Sequence, residues 1–334
     1  MNRNAIIAVG LLVVAAVAVL VFDSNRNPAQ HPKIGSLVIN PSELPNISEV
    51  NLTKSDKTLK IRKNDLGLWS VDHDGVILPA DGRKIATSFD QISKAKITRL
   101  ISKSAESDQG FEAGVKLSLI SAAGPIDFNL GEKRAGGGQY ISLGQGPEVF
   151  LTSENIDIAT DLDAWELKTL VDLKKEEIKK VEFWSAKKGA ASTTLLREKA
   201  EDKLAVQGLG KEEKTRESAL GTIESALEAL SFSKRLDPGN EEAKTALSHA
   251  QQSRFESFDG RVYDVWVGKV GKDASEKYFV RVTASKGNSS LSTQQNAEID
   301  LLNELMSKWS YEVSSYNAKR LIKERADLVE SDKS

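Results

Sequence analysis

The hydrophobic pattern opens with an unbroken apolar run. Ala5 to Phe22 reads AIIAVGLLVVAAVAVLVF and carries no charged residue. As a helix it would extend about 27 Å at ~1.5 Å per residue, close to the hydrocarbon thickness of a bilayer. Its apolar side chains favour insertion by about 4 to 7 kcal/mol. The run therefore predicts a transmembrane signal-anchor helix over residues 5–22. Ala16-Val17-Ala18 has the small-x-small form of a cleavage site, but the apolar run continues through Phe22, where a cleaved leader would already be polar. Arg3 and the terminal amine precede the run, whereas Asp23 and Arg26 nearly cancel after it. The positive-inside tendency then puts the N-terminus in the cytoplasm of a bacterial inner membrane and the rest of the chain outside. The following DSNRNPAQHPK, Asp23 to Lys33, is polar with two prolines and opens a linker over residues 23–43.

Beyond the linker the period changes to two. Ile47, Val50 and Leu52 begin a strand, Thr58 to Arg62 alternates as a second, and Leu68 to Val71 makes a third after the turn Asn64-Asp65-Leu66-Gly67. Ile85, Phe89 and Ile92, spaced by four and three, mark one face of a helix. The pattern then recurs. Ile61, Trp69, Val71, Ile85, Ile92, Ala95 and Ile97, shifted by 135, become Leu196, Leu204, Val206, Leu220, Leu227, Leu230 and Phe232. The lead-in strand repeats at a shift of 131, Ile47 and Val50 against Ile178 and Val181, with the difference absorbed near Lys187 to Ala190. Between the units, Val115, Leu117 and Leu119 alternate, as do Ile126, Phe128 and Leu130. Tyr263, Val265 and Val267 followed by Phe279, Val280 and Val282 form a shorter counterpart. Leu302, Leu305, Trp309 and Tyr316 predict a long helix over Asn296 to Val329. The expected fold is α+β: an N-terminal transmembrane helix, then two similar antiparallel-sheet-plus-helix halves, 44–167 and 168–334, the second ending in the long C-terminal helix.

Composition narrows the chemistry. Charged residues at 28% and hydrophobic ones at 40% suit a folded region, and a net charge of −2 lacks the basic footprint of a nucleic-acid binder. With no cysteine, thiolate zinc sites and lipid-modified cysteines are excluded. The three histidines are His31 in the linker, His73 in Asp72-His73-Asp74-Gly75, and His249 in a polar helix-like run. Asp-Gly reads as a hairpin turn, which sends neighbouring side chains to opposite faces, so no metal site is expected at His73. Gly208-Leu209-Gly210-Lys211 has Ala205 and Glu212 where a phosphate loop needs glycine and Ser or Thr. Gly136-Gly137-Gly138 precedes no apolar helix and reads as a loop. Ser-x-x-Lys occurs at Ser93, Ser185 and Ser231 without the companion Lys-Thr-Gly. Asp161, Asp163 and Glu166 flank Trp165; a saccharide site can look this way, but a helix end docking its Trp in the core fits better. Trp69, Trp184 and Trp309 also read as core. No catalytic, cofactor-binding or metal-ligating residue is assigned, and no cofactor is expected.

Several segments in order carry a family likeness: Leu59-Lys60-Ile61, Trp69, Pro79-Ala80-Asp81, Asn129-Leu130-Gly131-Glu132, Gly138-Gln139-Tyr140-Ile141, Glu148-Val149-Phe150-Leu151, and Trp309-x-Tyr311-x-Val313 with Tyr316. With the anchor, this order resembles a bacterial domain-of-unknown-function family encoded beside auxiliary proteins of gliding-motility-type ABC transporters. Asp237 to His249, DPGNEEAKTALSH, has no match in it. The resemblance implies an envelope accessory or scaffold subunit whose partners are membrane proteins of an ABC-type transport complex. The lipid bilayer would be met through residues 5–22, with no nucleic acid involved. A glycan- or lipid-binding module is the alternative, and a carboxylate-dependent hydrolase a third.

Overall fold

A computed structural model describes residues 31–104, 109–144, 146–184, 192–287 and 291–331. The expected membrane span at 5–22 and the expected turn near Lys187 to Ala190 lie outside them. Among the described residues, no helix is long and apolar enough to cross a membrane.

The described residues divide into two compact units, one of those up to Thr58 with those of Ala86–Thr160, the other of Leu59–Ile85 with those from Asp161 on. In chain order the first half holds β1 (Ile47–Lys54), β2 (Lys57–Lys63), β3 (Trp69–His73), β4 (Val76–Pro79) and α1 (Gly82–Lys94). Then come β5 (Ile97–Ser102), β6 (Val115–Ser121), β7 (Gly124–Lys133), β8 (Gln139–Leu143), β9 (Val149–Thr152) and α2 (Leu162–Trp165). The second half begins with β10 (Thr169–Val171), β11 (Ile178–Phe183), β12 (Thr193–Leu196), β13 (Ala205–Val206), β14 (Glu213–Thr215) and α3 (Glu217–Glu224). It continues with β15 (Leu230–Ser231), β16 (Lys234–Leu236), α4 (Glu241–Leu247), β17 (Gln251–Ser257), β18 (Arg261–Val270) and β19 (Lys277–Lys286). It ends with α5 (Thr293–Leu301), β20 (Ser310–Val313), α6 (Ser315–Leu321), α7 (Arg325–Leu328) and β21 (Val329–Ser331).

This is a mostly β-sheet chain, which corrects the α+β expectation. The long C-terminal helix is also overturned. α5 widens into a π-turn over Leu302–Met306, and the chain then becomes strand β20. The reason lies in Tyr311-x-Val313: both are buried with Glu312 half-exposed between them, and they pair with Val280 and Tyr278 of β19, which only a strand provides. Ser314 then caps a separate short helix, its hydroxyl accepting from the Asn317 amide, and Tyr316 of the supposed stripe is 64% exposed.

Within the first unit the strands run antiparallel in the order β1-β6-β7-β8-β9-β5. Within the second, the order β11-β17-β18-β19-β20-β16 corresponds strand for strand, and β12 and β13 extend it beyond β11. Even the lead-ins match: a 3-10 turn, Pro41–Asn46 or Lys175–Glu177, delivers the chain to β1 or β11. The meander β4-β3-β2 belongs to the second unit. Its exit is fastened there by amide bonds from Asp81 to the Trp165 carbonyl (2.8 Å) and from Leu167 to the Pro79 carbonyl (2.9 Å).

Each sheet buries the apolar member of its alternation, for example Leu52, Leu117, Leu119, Phe128 and Ile141 in the first unit, and Val181, Phe255, Val265 and Val280 in the second. Part of the segment expected as a spacer is tied down too. Val38 and Ile39 are buried, and the Gly35 and Val38 amides bond to the carbonyls of Ile97, which opens β5, and of Ala95 just before it (2.7 and 2.9 Å).

Candidate functional site

Successive residues of a strand face opposite ways, so burying one set of the first unit's strands presents the other set together. On β1 that set is Asn51 and Thr53, on β6 Lys116 and Ser118, on β7 Asp127 and Asn129, and on β8 Ser142. Strand register aligns them in two rows. Asn51 pairs with Ser118 and Ser118 with Asp127; Thr53 pairs with Lys116, Lys116 with Asn129, and Asn129 with Ser142. Directly opposed side chains sit about 5 Å apart, so the rows form one continuous polar floor. The floor lies in a depression of about 520 Å³ whose lining also includes Phe111, Gly144 and Gly146.

The floor is not self-satisfied. Among the described residues, the Lys116, Ser118, Asp127 and Asn129 side chains have no hydrogen-bond or ion-pair partner. The Asn51 Oδ1 atom is shut off from solvent and accepts no hydrogen bond. The unpaired side chains of Lys116, Ser118, Asp127 and Asn129 give this surface hydrogen-bonding capacity to offer. At the rim, Thr53 and Thr58 share a hydroxyl bond of 2.9 Å and the Ser142 hydroxyl donates to the Gly146 carbonyl (3.0 Å).

The second unit supplies an internal comparison. Its corresponding row is Glu182, Arg254, Asp264 and Thr283. Here the charges close on one another. Arg254 donates twice to Asp264 (2.8 and 3.0 Å), Gln252 donates to the same carboxylate (3.2 Å), Lys180 lies 3.1 Å from Glu182, and Arg254 sits over the Trp184 ring. The Asp264 hydrogen bonds raise the Arg254 guanidinium above its ordinary range. Ser118 occupies the place of Arg254, so Asp127 lacks the fork that Asp264 has. One face is open and its counterpart is zipped shut.

A crossing segment edges each face at a glycine. A Cβ at Gly131 would lie 2.4 Å from the Gln109 carbonyl oxygen and 3.2 Å from the Phe111 ring; one at Gly268 would lie 2.2 Å from the Ala246 oxygen. In the first unit the crossing segment is a loop that brings Phe111 to the depression. In the second it is α4, capped by Asn240 and burying Ala243 and Ala246 with Leu236 and Phe279. This helix is the Asp237 to His249 segment.

The residues singled out in the sequence do not converge on one another. His31 Nε2 is 3.2 Å from Glu148 and its ring lies against Phe150. His73 ends β3 ahead of an Asp74-Gly75 turn with φ of 52° and 81°, the left-handed pair that a two-residue hairpin turn demands. The His249 ring meets the Ser248 hydroxyl. No group of metal-ligating side chains occurs among the described residues. Gly208 to Lys211 is a loop between β13 and β14, Gly136 to Gly138 joins β7 to β8, and the Ser93 hydroxyl donates to the Asp90 carbonyl. Ser231 lies in β15, whereas Ser185 falls outside the described residues.

Trp165 is buried, Asp161 caps α2, and Asp163 is exposed. Glu166 is 3% exposed, with Arg235 at 2.9 Å and Lys168 at 2.6 Å. Burial, and then this carboxylate, push the Tyr311 phenol above its ordinary range. Trp309 is buried with Arg235 over its ring, while Trp69 and Trp184 are half-buried beneath Lys63 and Arg254. The second unit's apolar groove around Leu302 and Met306 includes Arg261, but that guanidinium is already held by Glu177 (2.7 Å) and Asp259 (2.8 Å). The open floor went unread in the sequence because it rests on which neighbours are missing across strands.

The sequence model of one protein family, described as a domain of unknown function (DUF4340), matches residues 69–252. The chain belongs to the DUF4340 family. No curated protein and no solved structure matches it. The DUF4340 match starts at β3 and ends in β17, so it takes in Lys116, Ser118, Asp127, Asn129 and Ser142 of the floor and leaves out Asn51 and Thr53. It also contains Glu182, which belongs to the closed row, but not that row's Arg254 and Asp264.

Proposed function

We propose that this chain is a non-catalytic binding subunit, held at the bacterial inner membrane with its folded part outside the cytoplasm, and an accessory component of an ABC-type transport complex. The observation that carries the binding reading is the open floor of the first unit, where donors and acceptors are aligned but left unpaired. Such a surface recognises reversibly. Ser118 faces Asp127 across the strands but shares no hydrogen bond with it, whereas covalent catalysis uses a nucleophile bonded to its base. The apolar sequence Ala5 to Phe22 supports the membrane location, and the likeness of the ordered turn and strand motifs to a family encoded beside transporter auxiliary proteins supports the complex. Tethering raises the effective concentration of a modest binding face toward membrane partners.

Mild crosslinking of the tagged full chain in its own membrane, followed by mass spectrometry, tests this. Co-recovery of transport-complex subunits is the expected result. Recovery of the tagged chain alone overturns the accessory role.

A further inference from the structure

The geometry points to a short neutral oligosaccharide as the ligand of the open face formed by β1, β6, β7 and β8, an assignment that rests on the binding role proposed above. The side chains on the floor are amides, hydroxyls, one ammonium and one carboxylate: Asn51, Thr53, Lys116, Ser118, Asp127 and Asn129. Donors and acceptors are mixed, as they are on a sugar, where every hydroxyl both donates and accepts. Planar amide and carboxylate groups can each engage two neighbouring hydroxyls at once. Lys116 and Asp127 balance in charge. A phosphate or nucleic acid would gain one cation and meet one carboxylate, which disfavours an anionic ligand. A lipid chain would bury these polar groups without partners. A peptide adding to a sheet uses the hydrogen bonds of an edge, whereas this surface is a face.

Two further features fit a sugar. Asn51 lines the depression, and a turn of its amide about the terminal bond would bring the unpaired Oδ1, now shut off from solvent, to a ligand donor. Phe111 lines the same depression and supplies an aromatic ring there, the kind of surface on which the C–H side of a pyranose packs. Four strands at ~4.8 Å spacing give a floor about 14 Å across, suited to a few sugar rings in a row. The second unit shows what removes this capacity: with Arg254 at the position of Ser118, the carboxylate is occupied from within the sheet.

Calorimetric titration of the full chain in detergent micelles with maltohexaose, cellohexaose and chitohexaose, and with inorganic phosphate, is the test. At least one hexasaccharide binds and phosphate does not. Ser118→Arg, which rebuilds the second unit's ion pair on the first, weakens that binding about tenfold or more with an unchanged unfolding midpoint. Asp127→Asn, close to isosteric, weakens it as well and guards against a folding defect in the arginine variant. Failure of all three sugars to bind, undiminished binding by both variants, or binding of phosphate instead overturns the assignment. If membrane partners still crosslink when the sugars fail, the saccharide assignment alone falls. If sugars bind but the chain is recovered without partners, the accessory role alone falls.

Discussion

Replacing Gly268 with valine is expected to lower the unfolding midpoint of the full chain by roughly 6–12 °C, as overpacking worth about 3 kcal/mol would do. The added Cβ would meet backbone only: the Ala246 carbonyl oxygen at 2.2 Å, its carbon at 2.4 Å and the Leu247 amide nitrogen at 2.8 Å. No flexible side chain stands there to yield, so α4 must lift from β18. Lifting it exposes the cluster of Leu236, Ala243, Ala246 and Phe279. Gly221, whose Cβ would meet nothing within 4 Å, is the control, and Gly221→Ala should leave the midpoint unchanged or slightly higher. Thermal unfolding followed by circular dichroism decides it, and a Gly268→Val midpoint equal to the parent's would show that α4 is not pressed against the strand.

The second large effect is expected at Arg235. Glu166 is 3% exposed and lies between Arg235 and Lys168, with the Arg235 guanidinium 4.2 Å from the centre of the Trp309 ring. Arg235→Met keeps the bulk but leaves the carboxylate with Lys168 as its one cationic partner, a loss of about 1.5–3 kcal/mol, the worth of a hydrogen bond between charged groups. Removing both charges is different. The double variant Arg235→Met with Glu166→Gln should recover most of the loss, because no uncompensated charge remains. Urea unfolding of the single and double variants measures the two quantities. A double variant as unstable as the single one would assign the loss to packing on Trp309 instead of to charge.

Strand alternation was the most legible feature. Leu117 and Leu119 between Lys116 and Ser118, and Phe128 and Leu130 beside Asp127 and Asn129, lie in β6 and β7 with their apolar members buried. The apolar matches at a shift of 135 fall on corresponding elements, Ile61 on β2 and Leu196 on β12, Val71 on β3 and Val206 on β13. The chain's end misled because Leu302, Leu305, Trp309 and Tyr316 have helical spacing, while Trp309, Tyr311 and Val313 have strand spacing within the same stretch. Burial by the neighbouring strand β19 decided in favour of β20. The acid-rich Asp237 to His249 segment gained meaning only once Gly268 was seen beneath it.

The open floor was written in the sequence as three short polar alternations, Asn51-x-Thr53, Lys116-x-Ser118 and Asp127-x-Asn129. Its character was not, since opposite charges in the second unit sit at Arg254 and Asp264, and only register tells that these two meet. The same register puts Ser118, not an arginine, across from Asp127. A contact that is missing leaves no periodic trace.

One face is free to engage a ligand, and its counterpart is occupied by its own side chains. Placing a diazirine-bearing lysine analogue at position 116, and in a second preparation at the corresponding position 252, and irradiating the intact membranes compares the two faces directly. Adducts from position 116 with none from position 252 are predicted. Equal labelling from both, or labelling from 252 alone, would contradict it.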